Sequence, residues 1–242
     1  AWPDAAEVLA RKYWPGPLSL VLPKIQAIPS EVTAGLATVG VRAPSHPIAL
    51  ELIREAGIPL AAPSANLFTH LSPTEANHVR ESLGGRIDAI LDGGRTTVGI
   101  ESTVLSLAGE EPVLLRPGMI SRQELESVIG GPIQVGGAVK PNQAHTAPGM
   151  HEKHYSPATP LLLTSNPPPG SGAYLWWQHD QPGVARRRRM PANPQEYAQE
   201  LYAVLHDLDR DGLPFIALEP VPAGTEWDGI RDRLQRASLR IN

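Results

Sequence analysis

A chain of 242 residues with 41% hydrophobic and 19% charged residues has material for one large domain or two small ones, and its composition excludes a disordered chain. Its formal charge of −4 argues against a protein that grips nucleic acid over a broad basic face, and the absence of cysteine excludes disulfides, thiolate catalysis and zinc–sulfur sites. No apolar run approaches the roughly 20 residues of a membrane helix, and the opening Ala1-Trp2-Pro3-Asp4 has neither the basic nor the apolar region of a signal peptide, so the expectation is a soluble, cytoplasmic protein.

Residues 5–13 have helical spacing, with Ala5, Val8, Leu9 and Tyr13 on one side. Pro15-Gly16-Pro17 stops that helix, and Leu18–Leu22 reads as a buried strand. Thr38–Arg42 is a second short strand, followed by an amphipathic helix over Pro47–Ala56 with proline in its first turn and Gly57 beyond its end. Pro59–Ala62 is expected as a strand leading into the loop Pro63-Ser64-Ala65-Asn66. Ser72 reads as the N-cap of the next helix, with Pro73 at its first position and Glu75 completing a capping box; that helix ends at Gly84-Gly85. A strand over Ile87–Leu91 precedes Asp92-Gly93-Gly94, and 101–107 pairs with 113–116 as a hairpin. Ser121 and Glu124 form a second capping-box pattern opening a helix to Ile129. Periodicity vanishes between Gly136 and Pro160. Beyond it come strands at Leu161–Thr164, Tyr174–Trp177 and Phe215–Leu218, with helices over 194–209 and 227–237. The reading is an α/β protein: a mixed sheet with helices over 1–135, a linker over 136–159, and a small doubly wound, Rossmann-like α/β domain over 160–242.

Neither phosphate-cradling glycine loop is present, nor a GxSxG nucleophile elbow. Instead, four polar clusters sit at strand ends, where open α/β sheets place their sites. Thr38 and Arg42 share a strand face; an arginine there is satisfied by a ligand carboxylate or phosphate, or equally by an internal Asp or Glu. Ser64-Ala65-Asn66 could present donors to an anion or simply form an Asx turn. Glu101-Ser102-Thr103 brings a hydroxyl out of an apolar strand, either as a site or as an ordinary edge pair. Arg116 ends a strand before Pro117-Gly118. His151 and His154 have a possible metal spacing but no third ligand nearby, so they read as exposed linker residues. Arg186–Arg189 could meet RNA phosphates, but the run sits between a strand and a helix without interleaved aromatics and reads as a solvated loop.

Taken together and in order, Trp14-Pro15-Gly16-Pro17-Leu18, TVGVRAPSHP (38–47), APSAN (62–66), SPT (72–74), DGG (92–94), GIESTV (99–104) and LRPG (115–118) resemble the YrdC-like threonylcarbamoyl-AMP synthase family. The PGM run at 148–150 followed by His154-Tyr155-Ser156-Pro157 resembles the linker of that family's long form, and the remaining residues its Rossmann-like C-terminal extension. The resemblance implies a YrdC-like twisted mixed sheet and condensation of L-threonine, bicarbonate or CO₂ and ATP to threonylcarbamoyl-AMP and pyrophosphate. It implies Mg²⁺ accompanying ATP, no tightly bound organic cofactor and no protein metal site. A partner transferase would move the product's threonylcarbamoyl group to an adenosine in tRNA, with tRNA contact to this chain weak or indirect.

By the same resemblance, Arg42 would grip the threonine carboxylate, with Ser64 and Ser102 completing the amino-acid pocket. Thr38, Asn66, Thr74 and Arg116 would hold ATP, and Tyr155 would close over the nucleotide. No separate catalytic nucleophile or base is implied, because positioning and charge stabilisation carry such a reaction. The sequence departs from the family pattern at Phe68-Thr69-His70 and at His151-Glu152-Lys153. A threonine-containing strand and a Lys-x-Arg phosphate segment, which members carry before this point, are absent. The alternative expectations are a tRNA- or double-stranded-RNA-binding module using Arg186–Arg189, and an inactive regulatory fragment of the family.

Overall fold

The computed structural model describes residues 2–136 and 154–238, so the PGM run, His151 and most of the linker lie outside the described residues. The described chain falls into two compact units: residues 2–63 with 101–136, and residues 64–100 with 154–238. The segment 64–100, which the sequence reading holds within a continuous 1–135 domain, is thus grouped with the C-terminal strands and helices.

The first unit is built on a mixed sheet. Helix α1 (Asp4–Tyr13) leads into β1 (Leu18–Pro23), followed by β2 (Thr38–Val41), α2 (Pro47–Ala56), β3 (Thr103–Ser106), β4 (Val113–Arg116), α4 (Arg122–Ile129) and β5 (Gln134–Val135). The order β2-β1-β3-β4-β5 makes β1 and β3 interior strands. β1 runs antiparallel to β2 and parallel to β3, while β3 and β4 form the expected antiparallel hairpin. Strand alternation sends Leu18, Leu20 and Leu22 to one face, where Ala6 and Leu9 of α1 and Leu125 of α4 bury them. Val21, Val104 and Leu115 make a smaller cluster elsewhere in the sheet. Ser121 accepts from the Glu124 amide while Glu124 reaches back to the Ser121 amide, as the capping-box pattern predicts.

The second unit holds α3 (Ala76–Leu83) and a parallel sheet of β6 (Leu161–Leu163), β7 (Gly170–Trp176), β8 (Val184–Arg189) and β9 (Ile216–Leu218), with α5 (Pro194–Asp209) and α6 (Asp228–Ala237). The strand order is β6-β9-β7-β8 and every pairing is parallel. Pro194 starts α5 behind an Asn193 cap that accepts from the Gln195 and Glu196 amides.

Four local expectations are corrected. Pro59–Ala62 and Ile87–Leu91 are not strands: among the described residues neither finds a neighbouring strand, and Ile58, Leu60, Ile87 and Leu91 are exposed. An apolar run supplies strand propensity, but a ladder partner makes the strand. Helix α3 starts at Ala76 with Glu75 at its cap, because the Thr74 amide donates to the His78 ring instead of to a Ser72 cap. Arg186–Arg189 lie in β8, not in a loop.

Candidate functional site

In the first unit, the polar residues singled out from sequence collect around the ends of β1, β3 and β4. Arg116 is buried, with Nε donating to the Ser102 carbonyl at 3.1 Å and Nη2 donating to Ser102 Oγ at 3.2 Å. Ser102 Oγ lies 2.8 Å from Ser19 Oγ. The structure therefore joins Arg116, Ser102 and Ser19 in one chain of polar contacts beneath the strand ends. Ser19 is absent from the sequence-based site; its signal is a lone hydroxyl in the apolar run Leu18–Leu22.

The loop after β4 is shaped by Gly118. A Cβ there would lie 2.4 Å from the Thr103 amide nitrogen and 2.7 Å from Thr103 Oγ1. That closeness lets Thr103 Oγ1 donate to the Ile120 carbonyl and accept from the Ile120 amide, at 2.9 and 3.1 Å. The "RPG" turn thus fixes the backbone immediately beyond Arg116.

Thr38 is half-buried in β2, whereas Arg42, expected as the last residue of that strand, lies one residue past its end and exposes surface to solvent. Protein atoms nevertheless crowd its guanidinium: burial first, and the like charge of Arg116 second, push it below the ordinary arginine value. It stays cationic, since that ordinary value is 12.5. Among the described residues no carboxylate pairs with Arg42. Of the two readings of this residue, the internal ion pair is the one without a partner. Two guanidiniums held near one another form an electropositive locus suited to a bidentate anion.

In the second unit, Ser64 is exposed in its loop, Asn66 is half-buried and Thr74 is 1% exposed. Asn66 Nδ2 donates to the carbonyls of Leu67 and His70, both at 3.0 Å, which sets the amide orientation because its oxygen could not face two carbonyls. Its Oδ1 is left buried with no hydrogen-bond partner among the described residues, an acceptor available to a donor group. Thr74 is held on three sides. Its amide donates to His78 Nδ1 at 3.2 Å, its carbonyl accepts from the Thr96 amide at 2.9 Å, and its hydroxyl lies 3.4 Å from the same His78 nitrogen.

Tyr155, taken from sequence as part of an open linker, is 1% exposed and has a left-handed φ of 61°. Its ring lies 6.1 Å from Tyr202 and 4.1 Å from His154, beneath the Arg233 guanidinium at 5.1 Å. His154 is buried rather than an exposed linker histidine. The described end of the linker is stitched to its surroundings: the Ser156 amide donates to the Thr69 carbonyl, and the Ala158 and Thr159 amides donate to the two oxygens of Asp209.

The arginine run of β8 is matched with acids. Arg186 pairs with Asp211, Arg187 with Asp180 at 2.6 Å and Arg188 with Glu200 at 2.8 Å, while Arg189 lies over the Trp176 ring. Such charges on an edge strand discourage strand addition by other chains; their pairing removes the cationic surplus an RNA-binding stripe needs. Among the described residues no group of three or more His, Asp or Glu side chains could hold a metal ion, and no helix is long and apolar enough to cross a membrane.

Comparison with known proteins agrees with these features. Residues 1–118 match the Sua5–YciO–YrdC family model, described as "Telomere recombination", and residues 120–238 match the model "Threonylcarbamoyl-AMP synthase, C-terminal domain". The threonylcarbamoyl-AMP synthase of Bacillus subtilis is 41% identical over 98% of this chain and 73% of its own length; that of Pyrococcus abyssi is 39% identical over 98% and 74%. The crystal structure of Pyrococcus abyssi Sua5 complexed with L-threonine superposes with a TM-score of 0.89 at 37% identity, covering 98% of this chain and 74% of that one. Two family models meeting end to end, with relatives alike across almost all of the sequence, establish that the chain belongs to the threonylcarbamoyl-AMP synthase family.

Proposed function

We propose that this chain condenses L-threonine, bicarbonate or CO₂ and ATP into threonylcarbamoyl-AMP and pyrophosphate, in the cytoplasm, supplying a transferase that modifies tRNA. The observation that carries the reading is Arg42, a cation crowded by protein and by Arg116 and lacking a carboxylate partner among the described residues. A threonine carboxylate supplies the missing anion, and the family resemblance assigns the hydroxyls of Ser102 and Ser64 to threonine as well. Thr38, Asn66, Thr74 and Arg116 serve ATP, and Asn66 Oδ1 is an acceptor awaiting a donor. Tyr155 would serve the nucleotide only by leaving its packing against His154 and Tyr202.

In the first step, the neutral threonine amine adds to CO₂ and loses one proton, giving a carbamate. A carbamate oxygen then attacks the α-phosphorus, and the bond to the bridging oxygen breaks to release pyrophosphate. The chain's role is to fix the two reactants in line and to stabilise charge moving onto the leaving group, to which Arg116 contributes. Mg²⁺ would arrive on the ATP phosphates as part of the substrate and offset their charge there. Arg116 also serves as scaffold, since Ser102 accepts from it twice.

Pyrophosphate release measured with each reactant omitted in turn tests the proposal: release should require threonine and bicarbonate together. Arg42→Ala should raise KM for threonine about 10-fold or more, as loss of a charge-assisted contact predicts, while the folded state persists. Pyrophosphate release that ignores threonine, or an unchanged threonine KM in that variant, would overturn it.

A further inference from the structure

The turn that carries Thr74 is held by a histidine pair whose second member comes from far along the chain. Helix α3 supplies His78, which is 2% exposed, and α5 supplies His206. Their rings stack with centroids 3.8 Å apart and 18° between planes. His206 Nε2 donates to the Ser72 carbonyl at 3.1 Å, while His78 Nδ1 accepts from the Thr74 amide at 3.2 Å. The two rings therefore take opposite ends of the Ser72–Thr74 turn, one by a donor and one by an acceptor. Beside them, a Cβ on Gly99 would lie 2.1 Å from the Ala198 carbonyl oxygen, so the segment after the turn also lies against the α5 backbone.

We propose that His206, acting through its stack on His78 and its bond to the Ser72 carbonyl, is a positioning residue for ATP, so that the C-terminal extension sets the geometry of the nucleotide-binding turn. This rests on the reading that Asn66 and Thr74 serve ATP. The arrangement requires a neutral His78 and disfavours charge on both rings together. A protonated His78 has no Nδ1 lone pair for the Thr74 amide, and two stacked imidazolium ions repel. The charged groups facing the pair are Glu75 and Glu81 from the α3 region, and Asp209 and Arg210 from the end of α5; Arg210 itself pairs with Glu81 at 3.0 Å. Burial leads in disfavouring protonation of both rings.

The test uses the full chain with His206→Phe, which keeps a ring for the stack but removes the donor, and His206→Gln, which keeps a donor. Pyrophosphate release gives KM for ATP and for threonine separately, and amide hydrogen exchange follows residues 72–74. For His206→Phe, the ATP KM should rise roughly 5- to 30-fold, the range for a lost buried hydrogen bond, with faster exchange at the turn and threonine KM within about twofold. His206→Gln should recover part of the loss. In the parent chain the ATP KM should climb as pH falls from about 6.5 toward the lower folded-state values of the two rings, because protonated His78 loses its acceptor for the Thr74 amide. An ATP KM unchanged in His206→Phe, or equal increases for both substrates, overturns the positioning role. Asn66→Ala separates the two levels. If it leaves the ATP KM unchanged, the ATP reading falls and this inference with it; if it raises the ATP KM while His206→Phe does not, the positioning role alone falls.

Discussion

Glu219 shows how one side chain can decide what a strand end does. It leaves β9 at the carboxyl edge of a parallel sheet, where open α/β sheets usually receive ligands. Its buried carboxylate accepts from three successive amides, those of Trp177, Gln178 and His179, at 2.9, 2.9 and 3.2 Å, and meets His179 Nδ1 at 2.7 Å. Successive amides of this kind form a nest for an anion, and here the anion is internal. Burial opposes ionisation of the group, but the Gln178 and Trp177 amides, then the His179 side chain and amide, outweigh it and hold the carboxyl below its ordinary value of 4.5. The associated stability is present above that value and lost as pH falls through the lower folded-state value. Glu219→Gln should cost about 2 kcal/mol of stability, as expected when charge-assisted bonds become neutral ones, and should remove that acid-limb dependence. Urea unfolding at neutral and acidic pH measures both; equal loss at either pH counts against the carboxylate's role.

At the scale of elements, the charged strand β8 invites a different measurement. It is the edge of its sheet, and Arg186–Arg189 are exposed along it. Replacing Arg187 and Arg189 with valine should leave the strand paired with β7 but make the protein associate as concentration rises, because an apolar edge templates further strands. Light scattering across a dilution series reads this, and a monodisperse variant at all concentrations would contradict it. The strand also shows where sequence patterns stop being informative. VARRRR lacks the apolar alternation of a half-buried strand, since only Val184 enters the core and three of its arginines are held at the surface by Asp180, Glu200 and Asp211. The converse holds at Pro59–Ala62 and Ile87–Leu91, where local propensity is strong but no ladder partner exists among the described residues. By contrast, the Ser121 cap and the β3–β4 hairpin depend on near neighbours and were legible in full. The site divides the same way. Ser102 and Arg116 stood out as polar groups at strand ends and prove to be bonded together. His206 was invisible, because only the tertiary structure brings a residue of α5 to the Ser72 carbonyl.

For the whole molecule, the decisive fact is that chain order and compact units do not coincide. Residues 64–100 belong with 154–238, although unit 1 supplies sequence on both sides of that segment. Among the ties that join the two segments of this unit are the His78–His206 stack, the His206–Ser72 bond, the Arg210–Glu81 pair and the Ser156–Thr69 backbone bond. Both histidines are held below their ordinary value of 6.5. For His78 the causes are burial, then His206 and Arg210, against Glu75 and Glu81. For His206 they are burial and Arg210, against the Ser72 bond, Glu81 and Asp209. Unfolded, each would take up a proton near 6.5; folded, each resists it. Stability is therefore complete above about pH 6.5 and declines as pH falls from there toward the lower folded-state values, by up to about 1.4 kcal/mol per pH unit for each proton taken up on unfolding. A protease site introduced between residues 137 and 153 makes this measurable. After cleavage the fragment bearing 64–100 and the fragment bearing 154–238 should co-elute at about pH 7.5 and separate more readily at about pH 5.5, since protonation acts on ties that span the cut. His78→Phe with His206→Phe should abolish that pH response while retaining a ring stack. Fragments that part at neutral pH, or a double variant with the same acid sensitivity as the parent, would show that the unit is held by something other than the histidine pair.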